Sequence, residues 1–363
     1  MAFTAKDVAA LRERTNVGMM DCKKALQEAD GDMDKAVEIL REKGLASAAK
    51  KAGRIAAEGT IGVYTDASAS ALVELNCETD FVGKNPEFKA LANQIAKTVV
   101  AVKPADVEAL AAATIADGSV SVADSIQELF LKIRENLQLR RFALIEGTAV
   151  SYIHGGGSIG AVVSFDTDAA DKPEFAEMGK NIAMQVAAMN PEYLRKEDIS
   201  AEELEKMKTI TIESALNKPD TLPKPILMKV IAKVLEANAW GEEDVKNYEE
   251  QKNNKFLFNF LSKEAIAKLA ETAVAGKEEY ATDVIFGKAI EGRIAKQLKE
   301  ICLLDQAFVR SDLFEGTVGA YIADTAKKLG ANITITGFTR FEKGEGIEKK
   351  SDDFAAEVAS MIK

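Results

Sequence analysis

An internal repeat constrains this chain more than any other feature. Residues 61–97 read IGVYTDASASALVELNCETDFVGKNPEFKALANQIAK, and residues 150–184 read VSYIHGGGSIGAVVSFDTDAADKPEFAEMGKNIAM. Tyr64 matches Tyr152, and Thr79-Asp80 matches Thr167-Asp168. After one deletion Pro86-Glu87-Phe88 matches Pro173-Glu174-Phe175, and Ile95 matches Ile182. Each copy predicts a strand, a turn, a second strand, a short loop and a helix with proline in its first turn. Asn85 is placed to cap the first of these helices. A duplicated α+β core with antiparallel sheets follows.

The flanks differ in kind. Residues 4–54 predict three short helices. Thr4 caps the first, which carries Val8 and Leu11. Gly18 precedes a second, from about Met19 to Ala29. Asp30-Gly31-Asp32 turns into a third, which Gly44 is expected to stop. Between the copies, Ile126, Leu129, Phe130, Ile133 and Leu137 form one face of a helix. Arg140-Arg141 then leads into an alternating strand, FALIEGTAVSYI. Ile333 to Phe341 predicts a further strand, with a turn at Gly344-Glu345-Gly346 and a terminal helix from Asp353 to Ile362. Residues 196–302 are mainly helical. Ser200 with Glu203 makes a capping box, and Ile199 with Leu204 a hydrophobic staple. Leu227, Val230, Ile231, Val234 and Leu235 keep helical spacing after Pro223 and Pro225, and Phe256, Phe260, Ile266 and Leu269 suggest another helix. This stretch interrupts the second copy's lobe as an antiparallel, coiled-coil-like protrusion. The expected division is 1–55, 56–147, 148–195 with 303–363, and 196–302.

Charge and residue usage exclude several functions. The chain carries −11 overall, although residues 1–54 hold eleven basic and nine acidic residues. An acidic body is a poor nucleic-acid binder, because phosphate contacts require positive surface. It equally disfavours an anionic membrane. The mildly basic amino-terminal module suits an acidic partner surface. Cys22, Cys77 and Cys302 are far apart, as free thiols in a reducing compartment would be. The start lacks a signal-peptide run and no stretch is long and apolar enough to span a membrane, so a cytoplasmic protein is expected. His154 is the single histidine, which leaves no His-based zinc site and little scope for histidine acid–base catalysis. No phosphate loop, nucleophile elbow or metal motif occurs, so no cofactor is expected. Gly155-Gly156-Gly157 reads as a turn. Glu242-Glu243 and Glu278-Glu279 sit in solvated runs.

One set of residues carries a resemblance. Leu11 to Ala29, LRERTNVGMMDCKKALQEA, is similar to the amino-terminal module of bacterial elongation factor Ts, departing at Thr15-Asn16 from a usual Thr-Gly. The similarity continues at Lys50 to Arg54, Ala57-Glu58-Gly59, Asn76 to Val82, Lys132 to Arg141, Glu291-Gly292-Arg293 and Gly337 to Glu348. The family's usual KIGEN stands here as Lys132-Ile133-Arg134-Glu135-Asn136, with arginine replacing glycine. Residues of about 221–282 exceed the short members and enlarge the protrusion, whose family role is helical pairing or dimer formation, so a homodimer through the insertion is one implied partner.

The resemblance implies a guanine-nucleotide exchange factor for elongation factor Tu, not an enzyme. Such a factor binds the GDP form, expels Mg²⁺ and GDP, and holds the nucleotide-free state until GTP arrives. Asp80, Phe81, Val82 and Gly83 would form the Mg²⁺-dislodging loop. From the residues alone, Phe81 could equally pack beneath its own helix, but the second copy has Ala169 in that place, so a lobe does not require the aromatic. Arg12, Met19, Met20 and Lys23 would contact the partner's nucleotide domain, although a Met pair at a helix start also suits a core. His154 would lie near a distal partner domain, or be a plain turn residue. The terminal helix would also return to the nucleotide domain. The amino-terminal bundle also looks like a ubiquitin-associated (UBA-like) module, which leaves a non-catalytic interaction adaptor as the alternative.

Overall fold

The computed structural model describes residues 3–15 and 17–348. The expected terminal helix from Asp353 to Ile362 lies outside the described residues. The chain forms two compact units. One comprises Met1–Asn190, Phe308–Gly316 and Ala320–Lys363; the other comprises Pro191–Ala307 with Thr317–Gly319.

The first unit begins with three helices: α1 (Ala5–Thr15), α2 (Met19–Glu28) and α3 (Met33–Lys51). Thr4 and Asp7 cap α1 reciprocally, and Asp32 caps α3 through the amides of Asp34 and Lys35. Val8, Leu11, Val17, Cys22, Ala25, Leu26, Ala36 and Leu40 form the bundle's core. Gly44 does not stop α3, contrary to the expectation. A Cβ there would lie 2.3 Å from Leu131 Cδ2, so the missing side chain permits close helix packing at that point.

The repeat folds as two similar lobes. In the first, β1 (Glu58–Thr65) pairs antiparallel with β2 (Ala69–Cys77), followed by the one-turn helix α4 (Asp80–Gly83) and α5 (Pro86–Val102). Helices α6 (Val107–Ala112) and α7 (Val122–Ile133) then lead to β3 (Gln138–Glu146), which completes the sheet β1-β2-β3. The strand expected at FALIEGTAVSYI is two strands. Gly147, at φ +87°, breaks it, and β4 (Ala149–His154) starts the second sheet. There β5 (Ile159–Thr167) is central and α8 (Pro173–Met189) repeats α5.

Strand β2 is buried along its whole length. Ala71, Val73 and Leu75 face α5 and its neighbours, whereas Leu72 meets Ile61, Val162 and Phe341. A strand covered on both faces is expected to be nearly continuously apolar, which makes Glu74 in its middle conspicuous.

The second unit holds α9 (Ala201–Leu216), α10 (Lys224–Glu236), α11 (Glu242–Gln251), α12 (Lys263–Ala275), α13 (Lys277–Ala281) and α14 (Val284–Ile301) around its own core. The Ser200–Glu203 capping box forms as expected, and Val230, Ile231 and Val234 are buried. Phe256 and Phe260 do not belong to the next helix. Both are exposed in the preceding turn, while Leu257 and Leu261 are buried, and α12 starts at Lys263. After this unit come α15 (Val318–Leu329) and β6 (Ile333–Glu342), which pairs with β5 to complete the second sheet.

Candidate partner-binding site

Helix α4 follows the central strand of the first sheet through Cys77-Glu78-Thr79. Thr79 is its N-cap, accepting from the Val82 amide at 3.5 Å. Lys84 and Asn85 close the turn through N–H bonds to the Asp80 and Val82 carbonyls, and Asn85-Pro86 then starts α5. Gly83 is buried, and a Cβ there would meet the Gly59 carbonyl oxygen at 2.7 Å. The turn therefore sits directly on β1 because position 83 has no side chain. Val82 packs partly into the core.

Phe81 points the other way and is 81% exposed. Packing beneath its own helix is thus not its arrangement. The phenylalanine ring is thus presented to solvent on a capped turn and adds little to the chain's own core. Asp80 is half-buried beside it. A hydrogen bond from Lys84 Nζ, at 2.6 Å, holds the Asp80 carboxyl below its usual range.

The second copy does something else with the same place. Ala169 is fully buried there, and Asp168 accepts the Asn332 amide at 2.9 Å. One repeat uses this turn to close the fold, and the other leaves it presented to solvent.

On the bundle, Arg12, Met19, Met20 and Lys23 are all exposed. Met20 is 63% exposed and Met19 52%, so neither methionine serves the bundle's core. His154 is also exposed, with Nδ1 3.0 Å from the Tyr152 hydroxyl. Gly155, Gly156 and Gly157 all have positive φ in a hairpin turn after it, and the Gly157 carbonyl accepts the Ile61 amide at 2.8 Å.

Two supporting clusters escaped the sequence reading. Glu135 takes three donors from the Phe81 loop: the amides of Glu78 and Thr79 at 3.1 and 2.9 Å, and the Thr79 hydroxyl at 2.6 Å. Arg134, at φ +64°, donates to Asp21 on α2 at 2.8 Å, so the arginine that replaces the family's glycine ties the bundle to the core.

The other cluster surrounds Glu74. Its carboxylate is fully buried and accepts from Arg140 at 3.0 Å, Arg141 at 2.5 Å, the Gly344 amide at 2.7 Å and Asn76 at 3.1 Å. Burial alone would raise this carboxyl. The Gly344 amide and the two guanidinium groups outweigh it and hold it below the ordinary glutamate range. Arg141 also lies 4.2 Å from the Phe341 ring centroid and 3.0 Å from Glu345. Arg140-Arg141 and the Gly337–Glu348 stretch thus meet at one buried acid that joins the two sheets. An acidic residue inside an apolar strand was the available signal.

Among the described residues, no cluster of histidine, cysteine and carboxylate side chains is arranged to hold a metal, and no helix is long and apolar enough to cross a membrane.

Known proteins match this chain along nearly its whole length. A family model described as elongation factor TS matches residues 78–345. The chain is 41% identical to an elongation factor Ts of Clostridium perfringens over 99% of both chains. It is 40% identical to one of Syntrophotalea carbinolica over 100% of both, and 38% identical to one of Clostridioides difficile over 99% of both. These alignments run through the helical unit, so relatives share the enlarged insertion.

Proposed function

The chain belongs to the elongation factor Ts family, and from that premise we propose that it is the guanine-nucleotide exchange factor for elongation factor Tu. In this reading it binds Tu carrying GDP. The Asp80–Gly83 turn displaces the elements holding Mg²⁺, GDP leaves, and the nucleotide-free complex persists until GTP binds. The observation that carries the reading is the exposed Phe81 on a turn fixed from beneath.

The physical requirement is differential binding. A factor accelerates release only if it binds the nucleotide-free state better than the GDP-bound one. Much of the GDP affinity of such partners resides in Mg²⁺ and the phosphate loop. An inserted ring that disturbs the metal-holding elements weakens both at once. Arg12, Met19, Met20 and Lys23 supply a second contact on the bundle, and His154 a third on the second lobe. No bond is made or broken, and no cofactor is needed. The work belongs to translation elongation in the cytoplasm.

Release of a fluorescent GDP analogue from purified Tu, with substoichiometric amounts of this protein, tests the reading. Multiple-turnover acceleration supports it. Binding without acceleration would instead identify an adaptor that uses the UBA-like bundle, and absence of binding would reject both.

A further inference from the structure

Of the three residues after α7, Arg134 pairs with Asp21, while Glu135 and Asn136 hydrogen-bond the loop that carries Phe81. We propose that Glu135 is a positioning residue, one that aims Phe81 from beneath without meeting the partner. This rests on the exchange reading above.

The argument starts from the weakness of α4. Four residues are too few for a helix that stands by itself, because the nucleating turn costs more than it returns. Phe81 adds no packing, being 81% exposed. The direction of its ring is therefore inherited from the rest of the turn, which Val82 and Gly83 seat on the core and Thr79 caps. Thr79 is in turn fixed by Glu135, which takes its amide at 2.9 Å and its hydroxyl at 2.6 Å, and takes the Glu78 amide at 3.1 Å. A carboxylate accepting three donors makes charge-assisted bonds stronger than neutral ones.

Glu135 is itself well anchored. The Arg134 amide closes the end of α7 on the Phe130 carbonyl at 2.8 Å, and Phe130 is buried. On the other side, the Asn136 amide donates to Glu78 Oε1 at 2.7 Å, and its side chain donates to the Arg54 carbonyl at 2.8 Å. The Phe81 loop thus rests on the rigid end of a core helix. In the second copy, Asp168, the counterpart of Asp80, is held by the Asn332 amide, and buried Ala169 follows it in place of an exposed ring. The carboxylate clamp accompanies the lobe that presents Phe81.

Two substitutions in the full chain, Glu135→Ala and Glu135→Gln, test this. Without any partner, amide exchange is followed at Gly83, Lys84 and Asn85, with Leu72 and Val73 of β2 as controls. Glu135→Ala is expected to speed exchange in the turn about tenfold, the size of a lost charged hydrogen bond, and to leave β2 unchanged. Glu135→Gln keeps an acceptor oxygen and restores most of the protection. With Tu, Glu135→Ala is expected to slow stimulated GDP release about tenfold, yet by less than about twofold in a Phe81→Ala background, where no ring remains to be aimed. Unchanged turn exchange in Glu135→Ala, or full additivity with Phe81→Ala, overturns the proposal. If Phe81→Ala alone leaves release at the wild-type rate, the exchange reading fails, while the partner-free measurement still decides what Glu135 does.

Discussion

Phe81 is 81% exposed, while Ala169, at the same place in the second repeat, is fully buried. The two lobes share a fold and differ in what the turn after the central strand is used for. Replacing Phe81 with alanine should therefore cost little stability, within about 0.5 kcal/mol, as for surface positions generally. At an interface, a truncated aromatic anchor commonly costs about 2–4 kcal/mol. Phe81→Ala, alone or with Asp80→Ala, should leave the unfolding midpoint unchanged and slow the stimulated release of GDP from Tu at least about thirtyfold, the lower bound of that range. A normal release rate in a folded variant would sink the wedge.

Glu74 should control stability in acid. Its carboxyl is held below the ordinary glutamate range in the folded protein. Its ionised form thus contributes stability that is fully present above that range, near pH 4.3, and about fully lost once pH falls through the folded value. Glu74→Ala leaves Arg140 and Arg141 facing each other without their acid, at a cost of about 3 kcal/mol. Urea unfolding across about pH 3 to 6 should show a shallower acid limb in Glu74→Gln than in the wild type. Identical limbs would mean that other carboxylates dominate.

Cys77 should act at the opposite end of the pH scale. Burial, helped by the nearby charges of Glu135 and Glu58, pushes its thiol up to about 12. A group raised on folding contributes stability that is complete below its unfolded value and declines above about pH 8.5 as the unfolded chain ionises. Cys77→Ala should flatten that alkaline decline. In the native protein Cys77 should resist alkylation near neutral pH, because the thiolate is the reactive form. Rapid labelling of the folded protein at Cys77 would contradict this placement.

Much of this was legible in the sequence, for physical reasons. The repeat predicted both β-β-α lobes because strand alternation, Asn85-Pro86 and Lys172-Pro173 are local signals, and the helices start at Pro86 and Pro173 as expected. Gly44 misled because a glycine reads equally as a helix stop or as a site of close packing, and only Leu131, far away in sequence, decides between them. The break at Gly147 was hidden for a similar reason: the alternation continues on both sides of it. Phe81 and the methionines were singled out by resemblance, and their exposure is visible only in three dimensions. Glu135 and Glu74 were missed because their partners, Asn76 apart, lie 56 to 270 residues away, beyond any local pattern.

Arg134 permits a test of how the bundle is attached. Its left-handed backbone costs about 1–2 kcal/mol for a residue other than glycine. Its pair with Asp21 is partly exposed, with side chains 40% and 48% accessible, so it returns at most about 1 kcal/mol. Arg134→Gly should therefore leave overall stability within about 1 kcal/mol of the wild type. It should nonetheless loosen the bundle, because Asp21 loses its tie to the core. Limited proteolysis should cut faster near Ala52-Gly53-Arg54, with the fragment after the cut still folded. An unchanged cleavage rate would show that the Arg134–Asp21 pair does not hold α2.

The bundle itself should matter for affinity more than for the displacement step. Met19 and Met20 are exposed on α2, beside Arg134's partner Asp21, and flexible methionines suit an adaptable contact. Met20→Ala, or removal of residues 1–54, should weaken binding to Tu. At saturating concentration, Met20→Ala should release GDP at close to the wild-type rate, because Phe81 is still in place. The opposite pattern is expected for Phe81→Ala, with a lower maximal rate at any concentration. Titrating each variant against Tu separates the two, since a contact formed equally before and after nucleotide loss changes the half-saturating concentration without changing the maximum. Met20→Ala with a reduced maximal rate would place α2 in the displacement step as well.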